Sequence, residues 1–177
     1  MKHNGFSLVE MLVVIAIVGI LAGLGIANFT GLSRKYNLDN QVRRMYLDLT
    51  NIRIMAMNKN RTHFVALAAT GYTAYDDNSP APDGNGTLTI GSDTVVLRSN
   101  QALNLSTVRS QEFYSIAWSG NNPISFNSRG ICTTPNTICV NSTLQPLYDC
   151  IKVSASRINL GKLTAQGACN ADNCQIR

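Results

Sequence analysis

Hydrophobic and polar positions divide this chain into three regimes. From Met11 to Ser33 no residue carries a charge, and the text V-V-I-A-I-V-G-I-L-A-G-L-G-I-A is apolar on every face of a helix. Since about 20 apolar residues at 1.5 Å each cross a hydrocarbon core, the run is long enough to span a membrane. Beyond it Leu38, Val42, Met45, Leu49, Ile52 and Ala56 recur at alternating steps of four and three, the stripe of an amphipathic helix that packs on another element. Asn58-Lys59-Asn60 weakens that helix, and Arg61 to Ala69 reads as β.

From there the sequence breaks into short strand-like runs. They are 63–69, 72–75, 87–90, 94–98, 103–108, 113–118, 124–127, 137–141, 150–154 and 157–160, parted by turn chemistry such as Ser79-Pro80-Ala81-Pro82-Asp83-Gly84 and Ser119-Gly120-Asn121-Asn122-Pro123. An antiparallel sheet, or two of them stacked, is the expected outcome. The predicted class is therefore α+β: a long N-terminal helix packed on a C-terminal antiparallel β domain.

One acid stands at the mouth of the apolar run, Glu10. A carboxylate placed in a membrane costs roughly 2.5 to 3.5 kcal/mol on insertion scales, so it calls for a cationic partner. Three simpler readings compete. A removable secretory signal would use Lys2 as its basic start, Leu8 to Leu24 as its apolar core and Gly25-Ile26-Ala27 as its cleavage site, but has no use for the acid. A plain membrane anchor leaves Gly5-Phe6 and Glu10 without a purpose. A buried helix of a soluble protein fits least of the three, because the run is apolar on every face.

The stretch G-F-S-L-V-E from Gly5 to Glu10 resembles the leader of type IV pilins and of the pseudopilins of type II secretion. The resemblance implies that a prepilin peptidase and methyltransferase cuts after Gly5 and N-methylates Phe6. It also implies that Glu10 pairs with the mature amine of a neighbouring subunit. Inside a filament core of low dielectric such a pair relieves the desolvation of both charges and fixes the register between subunits. The helix text from Arg44 to Asn60 and the stretch I-S-F-N-S-R-G from Ile124 to Gly130 resemble, more narrowly, the GspH/FimT group of minor pilins and pseudopilins. On this resemblance residues 1–5 are the leader, 6–33 the membrane and assembly half of the helix, 34–60 its amphipathic half, and 61–177 a periplasmic β domain. The partners implied are other pilin subunits, the peptidase and an inner-membrane assembly platform, and the place is the inner membrane and then a pilus or pseudopilus. Major pilins often carry a proline where this chain has Ala27, so softening falls to Gly23, Gly25 and Gly31.

Charge gives one opposing signal. Arg34, Lys35, Arg43 and Arg44 follow the apolar run while only Lys2 and the amine precede it, which by itself would keep the β domain in the cytoplasm. The leader requires the opposite orientation, and all five cysteines lie in the C-terminal portion, as suits an oxidising compartment. The net charge of +5 is concentrated between Arg34 and Arg61. A solvated helix face explains it, with Asp39–Arg43 and Arg44–Asp48 placed to form i,i+4 pairs.

Cys132, Cys139, Cys150, Cys169 and Cys174 make two bridges and one thiol, and spacing alone does not choose the pairing. The resemblance favours Cys169–Cys174, because many pilins close a C-terminal loop with cysteines. No C-x-x-C pair accompanies them, and His3 and His63 lie far away in the chain, so neither a metal nor a cofactor is expected. Nor is an enzyme: there is no G-x-S-x-G, P-loop or H-E-x-x-H, and His63 reads as a strand residue. The alternative function is DNA capture, as in some FimT-like pilins with a basic C-terminal motif. Here its contacts would be Arg157, Lys162 and Arg177.

Overall fold

A computed structural model describes residues 7–82, 84–99 and 115–177, with the side chains of 24–30 and 99 outside that description. Among the described residues one helix, α1 (Leu8–Lys59), precedes nine strands: β1 (His63–Ala68), β2 (Gly71–Asp76), β3 (Thr94–Ser99), β4 (Ser115–Trp118), β5 (Ile124–Phe126), β6 (Asn136–Asn141), β7 (Cys150–Val153), β8 (Ile158–Leu163) and β9 (Cys174–Ile176). Asn60 ends the helix in the left-handed conformation, its N–H bonding back to Ala56 and Met57, which an asparagine tolerates better than most residues.

The strands form two antiparallel sheets, ordered β3-β2-β1-β5 and β4-β6-β7-β8-β9. Asn122 joins them, donating to the Leu67 carbonyl and accepting from the Leu67 N–H at 2.8 Å each, while Ile116 N–H donates to Ala69 O at 2.9 Å. Against the sheets lies the second half of α1. Leu38, Val42, Met45, Leu49, Ile52 and Ala56 are all buried with Val65, Ile124, Phe126, Ile138 and Ile151 in one cluster. Each such side chain taken fully from water contributes roughly 1.5 to 3 kcal/mol, so this stripe fixes how the helix sits.

The described side chains at the start of α1 stay outside this cluster. Leu8, Val9, Ile15 and Ile20 are each at least two-thirds exposed. Among the described residues no helix is long and apolar enough to cross a membrane. The first run of described side chains in that half ends at Gly23, about 22 Å from Leu8 by helical rise, and the expected 6–33 span also draws on the side chains of 24–30, which lie outside the description.

Three expectations about elements need correction. Residues 87–90 are not a strand: Thr87 donates twice to the Asn85 carboxamide and Thr89 N–H donates to Asp93, so side chains hold the backbone in turns. Strand β9 was not anticipated, being only three residues long and defined by its pairing with β8. Asp48 does not pair with Arg44 but accepts the Tyr72 hydroxyl from β2, whereas Asp39–Arg43 forms at 2.8 Å. The expected strand 103–108 lies outside the described residues.

Candidate functional site

Ser7 caps α1, its hydroxyl accepting the Glu10 N–H at 3.2 Å, which is half of an S-x-x-E capping box. Glu10 is exposed in the first turn, where the helix dipole favours a negative charge. Around it Leu8, Val9, Met11 and Leu12 are exposed too. The arrangement is a carboxylate on a naked apolar helix end, open to a neighbour. Gly5 and Phe6, the expected cleavage and methylation positions, lie outside the described residues.

At the opposite end of the molecule the cysteines correct an expectation. Cys139 pairs with Cys169 and Cys150 with Cys174, so the Cys169–Cys174 bridge does not form, and Cys132 is the buried free thiol. The reason is sheet order. Cys139 and Cys150 are cross-strand neighbours on β6 and β7, and each takes its own partner from the C-terminal segment. The second bridge passes over β8 at Gly161, where a Cβ would come within 2.8 Å of Cys174 Sγ and 3.0 Å of Cys150 Sγ. Glycine in the strand text I-N-L-G-K-L was the available signal. Cys132 packs in the main core, and burial raises its thiol pKa, so it is an unreactive core residue.

The C-terminal cations separate. Lys162 is bound to the fully buried Asp149 at 2.7 Å and to the Pro146 carbonyl at 2.8 Å. Asp149 also accepts the Leu163 N–H and the Gln166 amide, so it organises the end of the second sheet, and sequence reasoning missed it. Arg157 and Arg177 remain exposed, at the β7–β8 turn and past β9. On α1, Asp39 holds two elements at once: Arg43 Nε on its own helix and the Tyr148 N–H at 3.0 Å, with the Arg43 guanidinium 4.5 Å over the Tyr148 ring. The hydrogen bond to Asp39 raises the Arg43 pKa further.

His63 begins β1 wholly buried, with Nδ1 3.3 Å from Arg61 O and Nε2 3.8 Å from Asp76 Oδ1. Burial lowers its pKa, opposed by the Arg61 carbonyl and Asp76 and aided by Lys59 and Arg61. Asp76 binds Lys59 at 2.8 Å and so ties the end of α1 to β2. Among the described residues no three His, Cys, Asp or Glu side chains gather as a metal site.

A helix that buries one stripe on a β domain and leaves its apolar start bare is the geometry, and two family models match the sequence that builds it. The prokaryotic N-terminal methylation motif covers residues 1–26, and type II transport protein GspH covers 41–157, more than half of the chain. This chain belongs to the GspH family. No curated protein and no solved structure shows a significant match. The GspH match takes in the buried stripe of α1 from Val42 to Ala56, both sheets as far as the β7–β8 turn, and three of the five cysteines. The methylation motif takes in Gly5, Phe6 and Glu10. Together they make this GspH-family protein a minor pilin or pseudopilin of a type IV pilus or type II secretion system, in families of structural subunits rather than enzymes.

Proposed function

We propose that the chain is a low-abundance filament subunit, cut after Gly5, N-methylated at Phe6, and held in the inner membrane by residues 6–33 until it is extracted into a pilus or pseudopilus. The observation that carries this is the bare apolar start of α1 with one carboxylate at its mouth. Nothing within the described chain covers Leu8, Val9, Met11 or Leu12, and exposed apolar area of that extent calls for lipid or another subunit. The uncharged sequence continues to Ser33, about 34 Å from Met11 as helix, which suffices to cross a hydrocarbon core. The two disulfides suit a periplasmic β domain. Glu10 then pairs with the amine of an adjoining subunit, and the assembly platform and prepilin peptidase are its other partners.

Mass spectrometry of the chain purified from membranes tests the processing step. N-methylphenylalanine at Phe6 as the first residue is expected, whereas a start at Asn28 would show that the helix is a discarded signal. For assembly, Glu10→Ala should leave the protein in the membrane and exclude it from sheared filaments. Incorporation at the normal level would remove Glu10 from the mechanism.

A further inference from the structure

Three stretches distant in the sequence meet beside the last turns of α1. The Arg53 guanidinium donates through Nη1 to the Ser156 carbonyl at 2.8 Å, which places the β7–β8 turn over that part of the helix. One helical turn on, Gly130 lies against Met57, a Cβ there falling 2.7 Å from its sulfur, so the 127–130 turn covers the next position. Cys132 N–H donates to Ala155 O at 2.9 Å and stitches the two turns together. This corner therefore carries Arg53, Arg129 and Arg157, of which Arg129 and Arg157 are exposed.

Among the described residues no carboxylate pairs with these charges. Residues 49–60, 124–135 and 150–163 contain no Asp or Glu, and the described ion pairs involve none of the three arginines. Apolar side chains lie among them: Ile54 and Ile131 are 43% exposed and Met57 42%. Arginine and methionine mixed with aliphatic surface is the composition of a protein–protein contact, whereas nucleic-acid surfaces are more uniformly polar and basic. Anchoring lipid is out of reach, because Arg53 stands about 30 Å along α1 beyond Ser33, where the uncharged run ends. A second copy is a poor source of the acid: among the described carboxylates Asp39, Asp76, Asp77, Asp93 and Asp149 are buried and Asp48 is taken by Tyr72, and the exposed Glu10 and Asp172 stand singly, one at the bare start of α1 and the other among Asn170, Ala171 and Asn173.

We propose that the corner formed by Arg53, Arg129 and Arg157 with Ile54, Met57 and Ile131 is a docking surface for a different protein, through a segment that carries carboxylates interleaved with aliphatic side chains. Guanidinium forks take carboxylates in bidentate pairs, and the aliphatic area between them excludes water from those pairs. The surface is built from the last turns of α1 and two turns of the β domain, and does not depend on how the start of α1 is used.

The test uses the full chain in detergent micelles and a fluorescent nine-residue probe of six glutamates and three leucines, read by anisotropy against empty micelles. Binding is expected, with a loss of about tenfold or more in R129E/R157E, which leaves the structural Arg53 contact in place. The matching lysine–leucine probe should show the reverse preference, binding the double variant better than the parent, an outcome that simple misfolding could not produce. Ile131→Asp, with every arginine retained, should weaken the glutamate–leucine probe several-fold. The proposal is overturned if the parent chain does not bind the probe, if R129E/R157E binds it equally well, if Ile131→Asp has no effect, or if duplex DNA binds more tightly with a salt slope of about 0.9 per phosphate.

Discussion

Removing the Cys150–Cys174 bridge should be the most damaging single lesion in the β domain short of the main core. The bridge closes a 24-residue separation and Cys139–Cys169 one of 30, for which chain-entropy bookkeeping gives about 3.4 and about 3.6 kcal/mol. On that ground alone the two would be nearly equal. Their surroundings are not. Cys150 and Cys174 are both buried, with Leu163 beside them, while Cys169 is only partly covered. Deleting one buried heavy atom costs about 0.5 to 1.5 kcal/mol, so Cys150→Ala/Cys174→Ala loses that amount twice and Cys139→Ala/Cys169→Ala nearer once. The expected totals are about 5 to 6 and about 4 to 5 kcal/mol, large fractions of the 5 to 15 kcal/mol typical of a domain. Urea unfolding of the full chain in detergent, followed through the single tryptophan, Trp118 on β4 of the same sheet, measures both. Cleavage after Lys and Arg and before Asp separates all four cysteines, because Asp149, Lys152 and Asp172 lie between them, and so identifies the linked peptides directly. A Cys169–Cys174 peptide, or a greater loss from the Cys139–Cys169 pair, refutes the reasoning.

Two further expectations concern buried charge. Asp149→Ala strands Lys162 and two N–H donors; with the Lys162 side chain still 20% exposed, the loss should lie near about 3 kcal/mol, the low end for breaking a buried pair, whereas Lys162→Met should cost less because Leu163 and Gln166 still serve the carboxylate. Equal losses in urea titrations of the two variants would contradict that division. Burial holds His63 below its ordinary 6.5, so the unfolded chain takes up the proton first; stability is full above about 6.5 and falls as pH drops through that value towards the folded pKa. Comparing melting temperatures at pH 7.5 and 5.5, His63→Gln should show a smaller drop than the parent, and identical drops would mean that His63 contributes nothing to the pH dependence.

What could be read from the sequence was whatever one element decides alone. Leu38 to Ala56 are buried to the last member because helical spacing fixes their face before any partner is known. Most strands fell where turn chemistry bounded them. Failures arose where a second element holds the deciding atom. Arg44 and Asp48 have the spacing of a pair, but the Tyr72 hydroxyl arrives from β2 and takes the carboxylate. Residues 87–90 have strand-like composition, and the Asn85 and Asp93 side chains offer the backbone a closer partner than any strand. The cysteine pairing needed the order β6-β7-β8-β9, which five cysteines in a line do not contain.

Charge shows the same division and changes the functional argument. Counted along the chain, the basic region was Arg34 to Arg61, yet folding answers much of it: Arg43 goes to Asp39 and Tyr148, and Lys59 and Arg61 share Asp76. Lys162, a candidate for phosphate contact by sequence, is consumed by Asp149, and with it goes one third of the proposed C-terminal set. Meanwhile three arginines from separate stretches, none conspicuous in its own neighbourhood, come to one acid-free corner through the Arg53–Ser156 and Cys132–Ala155 hydrogen bonds. Net charge is a sum over residues and keeps no record of which cations fold onto their own acids. Only the unanswered ones are free to attract a partner, and three of them, Arg53, Arg129 and Arg157, sit where Ile54, Met57 and Ile131 can exclude water from the contact.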